Sequence, residues 1–304
     1  MYKKILTFVF LILSALSIHA QSLFVGTYNI RYDNSDDVQK ADDWKSRRNA
    51  LCDFLNFEQL DIFGCQEALV YQVHDMASRL TAYSWIGAGR DDGKEKGEFE
   101  PIFYNTKKLK LLNHGNFWLA PDPTKPALGW DAVCIRICTW GKFREISTGF
   151  TFFFFNLHMD NKGVTARRES AKLVLNKMRS IAKGAPVVMT GDFNVDQNDE
   201  IYKYFSESGI LKDCYTSAKQ RFAENGTFNN FSTTEYTKSR IDHIFVSPKF
   251  DVAHYAIHTD GYWSPVERVN AKQGSNASSE LETARYVRHN ISDHYPVMAK
   301  IRFK

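Results

Sequence analysis

The sequence predicts an α+β fold in which two mixed β-sheets pack face to face and helices cover both outer faces. Short apolar segments rich in Phe, Val and Ile, typical of strands, recur along the chain with helical segments between them. No Pro- or Ser-rich linker divides these segments, so we expect one domain. The 304 residues, of which 43% are apolar, are enough to bury a large core. Two packed sheets with helices outside would use this many strands.

The first twenty residues are predicted to be a signal peptide that is not part of the fold. Lys3 and Lys4 precede the apolar stretch 5–18, which is too short to span a bilayer comfortably, and Ala20 is a plausible cleavage point. The domain would then comprise residues 21–304 in the periplasm or outside the cell, and an uncleaved anchor is the alternative. No later stretch reads as a transmembrane helix. Loss of the two lysines lowers the net charge from +4 to +2, which argues against a nucleic-acid coat protein.

Ten segments are predicted to be strands because they are short, apolar and bounded by polar residues or glycine. They are 23–28, 61–65, 84–87, 101–104, 132–140, 150–157, 186–190, 241–247, 252–258 and 295–302. Helices are predicted at 165–182, where apolar residues recur on one stripe, and at 44–57 and 71–80. We expect residues 91–100 to form a charged loop that could lie beside a cleft, and residues 270–280 to form a mobile loop.

The five cysteines do not indicate a metal site. An odd number in an exported chain leaves at least one cysteine unpaired. Cys134 and Cys138 fall in one predicted strand, on the same face, but too far apart to bond each other. Since the chain has no CxxC pair and no His/Cys cluster, structural zinc is not expected. We interpret most of the cysteines as buried small hydrophobic residues.

Polar residues collect at the termini of six predicted strands. Positions two apart share a strand face, so Asp192 and Asn194, which follow strand 186–190, can point into one pocket. Ligand sites of layered α/β proteins gather at such termini. The residues are Asn29, Gln66, Glu67, His158, Asp160, Asp192, Asn194, Asp242, His243, Asp293 and His294.

Each of these residues also has an ordinary structural explanation. A turn or a helix cap would account for Asn29 and Glu67. His158 could be a core histidine whose hydrogen bonds are satisfied. One shared site accounts for all six segments together. Carboxylates, amides and two histidines form a hard-ligand set that suits Mg²⁺ or Mn²⁺ and a substrate phosphate. The chain has neither a Gly-rich P-loop nor a GxSxG motif.

The motifs resemble those of the endonuclease/exonuclease/phosphatase superfamily, the DNase I-like proteins, and they occur in the order typical of it. They are Thr27-Tyr28-Asn29, Gln66-Glu67, Asn156-Leu157-His158, Gly191-Asp192-Phe193-Asn194, Arg240-Ile241-Asp242-His243 and Ser292-Asp293-His294. The resemblance covers nearly the whole chain after the signal peptide. It implies a four-layer αββα fold and a metal-dependent hydrolase of phosphate esters, but it does not specify the substrate.

The resemblance also implies the metal-binding residues. Glu67 resembles the main metal-binding carboxylate, and Asn29 and Asp293 resemble residues near the metal, which would be Mg²⁺ or Mn²⁺. Apurinic endonucleases carry an acidic residue two positions after the first Asn. Arg31 stands there in this chain, so a second metal ligand is in doubt.

The catalytic residues follow from the same resemblance. Asp192 would orient or deprotonate the attacking water, Asn194 would hold a phosphoryl oxygen, and His158 would contact the phosphate. In the pair of Asp242 and His294, the carboxylate would fix the imidazole tautomer. Apurinic endonucleases use a tyrosine at the position of His158, so the chain resembles the Ccr4/nocturnin-like branch more than the apurinic endonucleases.

Substrate contacts are expected from the middle of the chain. Arg136, Trp130 and Trp140 could stack on a base or sugar and clamp a phosphate, although the tryptophans could equally be packing residues. A nearly neutral, exported protein favours a phosphorylated small molecule, a nucleotide or oligonucleotide, or a phospholipid head group as its partner. No obligate protein partner is predicted.

The predicted function is hydrolysis of a phosphodiester or phosphomonoester by in-line attack of an activated water. Nuclease, phosphodiesterase and phosphatase activities all remain open at this point. The alternative is a non-catalytic or degenerate module that binds a phosphorylated or glycan ligand, which the 14% aromatic content permits.

Overall fold

The computed structural model describes residues 22–267 and 285–303. The predicted signal peptide at 1–20 and the predicted loop at 270–280 lie outside the described residues. Over the described ranges, no helix combines the length and the apolar character needed to cross a membrane.

Within residues 22–267 and 285–303 the chain forms fifteen strands and five α-helices. The strands are β1 (Ser22–Asn29), β2 (Ile62–Gln66), β3 (Tyr83–Ile86), β4 (Ile102–Asn105), β5 (Leu109–Trp118), β6 (Ile137–Glu145), β7 (Thr151–His158), β8 (Val187–Asp192), β9 (Lys212–Asp213), β10 (Gln220–Phe222), β11 (Asp242–Val246), β12 (Phe250–Ile257), β13 (Gly261–Glu267), β14 (Arg285–Asn290) and β15 (Val297–Phe303). The helices are α1 (Trp44–Glu58), α2 (Val70–Arg79), α3 (Val164–Ala182), α4 (Glu200–Ser206) and α5 (Cys214–Ser217), and a 3₁₀ helix spans Ser35–Lys40.

Two large sheets contain all strands except the hairpin of β13 and β14. Sheet 1 has seven strands in the order β10-β12-β15-β1-β2-β4-β3, and sheet 2 has six in the order β5-β6-β7-β8-β11-β9. Both sheets are mixed. In sheet 1, β1 runs parallel to β2 and antiparallel to β15. In sheet 2, β8 runs parallel to β7 and antiparallel to β11.

The core lies in three layers, one between the sheets and one under each set of helices. Val25, Ile62, Phe154 and Val188 belong to the layer between the sheets. Apolar residues of α1 and α2 pack on the outer face of sheet 1, and those of α3 and α4 pack on the outer face of sheet 2. The predicted four-layer arrangement of two mixed sheets flanked by helices is therefore confirmed.

The predicted strand at 132–140 is wrong at its beginning. The strand starts at Ile137, because the backbone N–H groups of Val133 and Cys134 turn aside to donate to the Asp160 carboxylate, at 3.0 and 3.2 Å. Cys134 and Cys138 therefore do not share a strand, and all five cysteines are free thiols. The sequence did not predict β5, an edge strand whose exposed middle lacks a regular alternation of apolar and polar residues.

Candidate active site

The strands that form the site are apolar at one end of their inner face and polar at the other. On β7, Phe152 and Phe154 lie in the core between the sheets, whereas Asn156 and His158 continue the same face as polar residues. The inner faces of three other strands also turn from apolar to polar towards this end. Their polar residues are Thr27 and Asn29 on β1, Gln66 on β2, and Thr190 and Asp192 on β8. Because these strands end at one edge, their polar side chains converge there.

Strand register places three of the predicted residues side by side. His158 is paired with Asp192 across the parallel strands β7 and β8. Asp242 is paired with Asp192 from the other side, because β11 is antiparallel and begins where β8 ends. All three side chains are buried.

The side chain of Asn29 joins the two sheets at this edge. Its Nδ2 donates to Oε1 of Glu67 and to Oδ2 of Asp192, both at 3.0 Å, and lies 3.4 Å from Nε2 of His294. Its carbonyl oxygen accepts from the backbone N–H of Arg31 at 3.0 Å. One amide thus contacts residues contributed by both sheets.

A second amide, that of Asn156, fixes the distance between the sheets just below the site. Its Oδ1 accepts from Nε2 of Gln66 at 2.7 Å and from Oγ1 of Thr190 at 3.0 Å. Its Nδ2 donates to the carbonyl oxygen of Cys65 at 2.6 Å. The sheets approach so closely here that a Cβ on Gly64 would overlap the Asn156 carboxamide and lie 2.7 Å from Oγ1 of Thr190. A glycine is therefore required at position 64.

Three residues of the site have a left-handed backbone, which costs energy for residues other than glycine. The φ angles are +59° at Arg31, +64° at Glu67 and +50° at Asn194. The Glu67 carboxylate is held in place by Asn29 and by the backbone N–H of Tyr32, at 3.3 Å. Such strain, about 1–3 kcal/mol per residue, persists where surrounding contacts fix the conformation, and it is common at functional sites.

Asp242 and His294 form the predicted pair. Nδ1 of His294 lies 2.8 Å from Oδ2 of Asp242, and both side chains are buried. Burial by itself would lower the pKa of His294, but the charge of Asp242 and the hydrogen bond to it, with Asp192 and Asp293, raise this pKa well above its ordinary value. These contacts favour the charged form of the His294 imidazole, whose Nε2 lies 3.4 Å from Nδ2 of Asn29 and 3.7 Å from Oδ2 of Asp192.

His158 has the opposite electrostatic character. Nδ2 of Asn194 lies 3.1 Å from Nε2 of His158, and Oδ2 of Asp192 lies 3.4 Å from the same nitrogen. Burial, followed by the positive charges of Arg136 and Arg90, lowers the pKa of His158 well below its ordinary value. The surroundings therefore favour the charged form of His294 and the neutral form of His158.

Two carboxyl groups of the site have raised pKa values. Burial, and then the nearby charge of Asp242, raise the pKa of Asp192 to about 7. Burial raises the pKa of Asp293 to about 6, with Glu67 adding to the effect and His294 and Arg31 opposing it. Each group could exchange a proton near neutral pH.

The donor set fits a hard divalent cation. Ligand atoms of Glu67, His158 and Asp192 lie within 4.8 Å of one another. Asp293 reaches the same edge, and its Oδ2 lies 3.5 Å from Nη1 of Arg31. The Arg31 guanidinium therefore lies beside Asp293. Position 31 is the one at which apurinic endonucleases are expected to carry an acidic residue. The two carboxylates are oxygen donors of the kind that hard divalent cations prefer.

The three predicted substrate residues differ in position. Arg136 adjoins the site, because its positive charge contributes to the lowered pKa of His158. Its guanidinium lies 3.8 Å from Oε2 of Glu98 and 3.9 Å from Oδ2 of Asp160. Trp140 does not adjoin the site. It pairs with Phe155 on the outer face of sheet 2 and packs against Phe155 and Phe153. Trp140 is therefore a packing residue, which was the alternative to a substrate contact.

Trp130 lies in the loop before β6 and is 38% exposed. Its part in substrate binding stays a prediction. The loop itself is fixed nearby, because the Asp131 carboxylate accepts from the backbone N–H groups of Thr165 and Ala166 in the first turn of α3.

Sequence reasoning missed several groups beside the site. The predicted charged loop at 91–100 contributes Glu98 and Glu100, and Arg90 precedes it. Phe228, 40% exposed, lies with its ring centroid 5.1 Å from that of His294. No periodic pattern marks these residues, since they lie in loops that only the folded chain brings to the strand ends.

Comparisons with solved structures agree with the fold. A crystal structure of an endonuclease/exonuclease/phosphatase family protein from Bacteroides thetaiotaomicron is 44% identical, with a TM-score of 0.86 over 93% of this chain and 98% of that chain. A mannosyl-6-phosphatase from the same organism is also 44% identical, with a TM-score of 0.85 over 92% of this chain and 100% of that chain. The human nocturnin catalytic domain, 17% identical with a TM-score of 0.66 over 94% and 95% of the two chains, shares the fold.

Curated relatives match over shorter stretches. Two uncharacterized proteins of Acanthamoeba polyphaga mimivirus are 26% and 21% identical over 160 and 237 residues, which are 50% and 68% of this chain. The matches span 60% and 34% of the length of those two proteins.

The family assignment rests on the profile match together with these structures. The profile of the endonuclease/exonuclease/phosphatase family matches residues 26–294, which include every predicted metal-binding and catalytic residue from Asn29 to His294. The superfamily predicted from the motifs is confirmed: this chain belongs to the endonuclease/exonuclease/phosphatase family.

Proposed function

We propose that this chain is an exported phosphoesterase that uses Mg²⁺ or Mn²⁺ and that hydrolyses the phosphomonoester of a sugar. The observation that carries the proposal is the convergence on the Asn29 amide of Glu67, Asp192 and the His294 imidazole. The mannosyl-6-phosphatase that is 44% identical over its whole length supports a sugar monophosphate rather than a nucleic acid.

In this proposal, Asp192 orients and deprotonates the attacking water. Its Oδ1 accepts from the backbone N–H of Asn194 at 2.9 Å, and its Oδ2 accepts from Asn29, so the carboxylate cannot rotate. A general base works best when its pKa lies near the working pH, and the pKa of Asp192 is raised to about 7 by burial and by Asp242.

The two histidines and Asn194 would hold the phosphoryl oxygens. The His294 imidazolium, fixed by Asp242, can donate from Nε2 and stabilise negative charge that develops in the transition state. His158 stays neutral and its ring is aligned by Asn194. One removed donor of this kind typically costs about 100–1,000-fold in kcat.

Glu67 would hold the metal, with Asn29 and Asp293 beside it. The ion would neutralise the phosphate and lower the pKa of bound water. The Glu67 carboxylate supports this assignment, because it is an oxygen donor whose ligand atom lies within 4.8 Å of those of Asp192 and His158.

The test is release of phosphate by residues 21–304 with Mg²⁺, with Mn²⁺ or with EDTA. The substrates are mannose 6-phosphate, p-nitrophenyl phosphate and bis-p-nitrophenyl phosphate. Asp192→Asn is compared with Asp53→Asn, which makes the same change at an exposed position on α1. We expect metal-dependent turnover of the monoesters that Asp192→Asn lowers by about 1,000-fold or more and that Asp53→Asn leaves unchanged.

Two results would contradict the proposal. Turnover that survives EDTA or the Asp192→Asn change would show that the site works differently. A folded wild-type protein that binds mannose 6-phosphate but releases no phosphate would favour the alternative, a binding module for a phosphorylated or glycan ligand.

A further inference from the structure

A second group of polar side chains adjoins His158. Ligand atoms of Glu98, Glu100 and His158 lie within 4.8 Å of one another. Nη1 of Arg90 donates to Oε2 of Glu98 at 2.6 Å, and Nη1 of Arg136 lies 3.8 Å from the same oxygen. We call Arg90, Glu98, Glu100 and Arg136 the Arg–Glu cluster.

The backbone holds this cluster in a fixed arrangement. Phe99, between the two glutamates, forms isolated bridges with Ala68 and Gly89, which are the neighbours of Glu67 and Arg90. The backbone N–H of Arg90 donates to the carbonyl oxygen of Glu98 at 3.0 Å. The charged side chains are therefore placed against the site by pairing of the main chain.

Arg136 is anchored from the other side. Its Nε lies 3.9 Å from Oδ2 of Asp160, and the Asp160 carboxylate accepts four backbone N–H groups, those of residues 133, 134, 162 and 163. The backbone carbonyl oxygen of Arg136 accepts from the backbone N–H of Leu119 at 2.8 Å. The guanidinium thus has a fixed position but a long contact to each carboxylate.

Several buried atoms of the cluster have no hydrogen-bond partner in the described part of the chain. Glu100 is 0% exposed, and neither of its carboxylate oxygens accepts a hydrogen bond. Nε and Nη1 of Arg136, Nε of Arg90 and Nδ1 of His158 likewise lack a partner. Buried polar groups in native proteins are almost always paired, so water or a ligand is expected to complete this set.

The ring of His158 adds a buried nitrogen without a partner to the set. Nδ2 of Asn194 donates to the carbonyl oxygen of Met159 at 3.0 Å, which fixes the orientation of the amide, and it also points to Nε2 of His158 at 3.1 Å. Nε2 of His158 therefore already has two polar neighbours, this amide and Oδ2 of Asp192 at 3.4 Å, and whether it donates or accepts depends on the tautomer. Nδ1 is buried and has no partner among the described residues, and one nitrogen of this ring lies within 4.8 Å of ligand atoms of Glu98 and Glu100.

The chemistry of the cluster identifies the class of ligand. A divalent cation on Glu98 would lie beside two guanidinium groups, which would repel it. An anion would be repelled by the carboxylates of Glu98 and Glu100. Hydroxyl groups both donate and accept, so vicinal hydroxyls can satisfy guanidinium N–H groups and carboxylate oxygens together.

We infer that the Arg–Glu cluster and Nδ1 of His158 form a subsite for hydroxyl groups of the sugar whose phosphate lies between His158 and His294. The inference rests on the proposed function and names the part of the chain that selects its substrate. Glu98 and Arg90, whose side chains are 14% and 13% exposed, contact the sugar. Glu100 is also buried, and its two unpaired oxygens face the same polar cluster, where a hydroxyl group or a water could donate to them.

The test compares Glu98→Gln and Arg136→Lys with Glu95→Gln, an exposed glutamate of the same loop. The measured quantity is the ratio of kcat/KM for mannose 6-phosphate to kcat/KM for p-nitrophenyl phosphate, which has no hydroxyl groups. We expect the ratio to fall by about 10–100-fold in Glu98→Gln and in Arg136→Lys, because a charged hydrogen-bond partner is lost or displaced, and to stay constant in Glu95→Gln.

An equal fall on both substrates would overturn the inference, because it would mean that the cluster acts only by supporting His158. An unchanged ratio in folded Glu98→Gln and Arg136→Lys would also overturn it. A second Mn²⁺ bound by the wild type, and lost in Glu98→Gln but not in Glu67→Gln, would show a cation site instead.

Binding separates this inference from the proposed function. The dissociation constants of mannose 6-phosphate and of inorganic phosphate are measured by calorimetry in the Asp192→Asn background. Weaker binding of mannose 6-phosphate, but not of phosphate, after adding Glu98→Gln supports the subsite even if the wild type hydrolyses neither ester. Equal dissociation constants with and without Glu98→Gln would overturn the subsite even if the wild type is an active phosphatase.

Discussion

Replacing Gly64 by Ala should disrupt the contact between the two sheets. The added Cβ would overlap the Asn156 carboxamide and lie 2.7 Å from Oγ1 of Thr190, closer than real Cβ contacts come. Overpacking of this kind costs about 1–3 kcal/mol. Displacing Asn156 also weakens two buried hydrogen bonds to its Oδ1, worth about 0.5–1.5 kcal/mol each. We therefore expect the free energy of unfolding to fall by about 2–6 kcal/mol.

Gly26→Ala is the matched control. Gly26 lies on β1, paired with Phe63 of the neighbouring strand β2, and a Cβ there would meet Cδ1 of Leu60 at 2.8 Å. Because that atom is the end of a flexible side chain, Leu60 can move aside. Alanine also restricts the unfolded chain, which contributes about 0.4–1 kcal/mol in favour of the folded state. The net change should stay within about 1 kcal/mol.

The assay is guanidinium unfolding followed by tryptophan fluorescence, combined with kcat/KM for p-nitrophenyl phosphate. Gly64→Ala should lower activity as well as stability, because Asn156 lies directly below His158 on the inner face of β7. The reasoning would be refuted by an unfolding free energy for Gly64→Ala within about 1 kcal/mol of the wild type, or by a larger loss in Gly26→Ala.

Three further predictions concern the site and the thiols. Glu67→Gln should lower kcat/KM by about 100-fold or more and weaken Mn²⁺ binding measured by calorimetry, whereas wild-type Mn²⁺ affinity would rule out Glu67 as the main ligand. Asp242→Asn should lower kcat/KM by about 100–1,000-fold at pH 8, since burial then lowers the pKa of His294 and the imidazole loses its charge. The loss should shrink as the pH falls towards 6, because the imidazole regains its proton, and a loss independent of pH would contradict this reasoning. Only the half-buried Cys134 should react with a thiol reagent in the native protein, because the other four cysteines are buried. Cys134→Ser should then abolish labelling, and two or more reactive thiols would contradict the described packing.

Much of the site could be predicted from the sequence because it follows the periodicity of strands. A residue two positions beyond an inward apolar residue also faces inward, so Asn29, His158 and Asp192 were expected to lie together at one edge. Their contacts through the Asn29 amide agree with that expectation. The family motifs supplied the order of the segments along the chain, which local patterns cannot give.

The rest of the site depends on pairings that no local pattern encodes. Glu98 and Glu100 reach His158 only because Phe99 between them bridges to Ala68 and Gly89. Trp140 was expected near the substrate, but strand alternation does not say which face of β6 is the inner one. Its pairing with Phe155 places it on the outer face, against the helices.

The four consecutive phenylalanines of β7 have a consequence for how the chain folds. Phe152 and Phe154 are sheltered by sheet 1, and Phe153 and Phe155 by the layer beneath α3. Until both neighbouring layers have assembled, one face of this apolar, uncharged strand remains open to solvent or to another chain. Sheet 1 itself needs β1 to pair with β15, which brings together residues from opposite ends of the described chain. Such distant pairing makes folding slow. During that interval the Phe-rich strand is a site for self-association, so the yield of refolding should fall steeply with protein concentration.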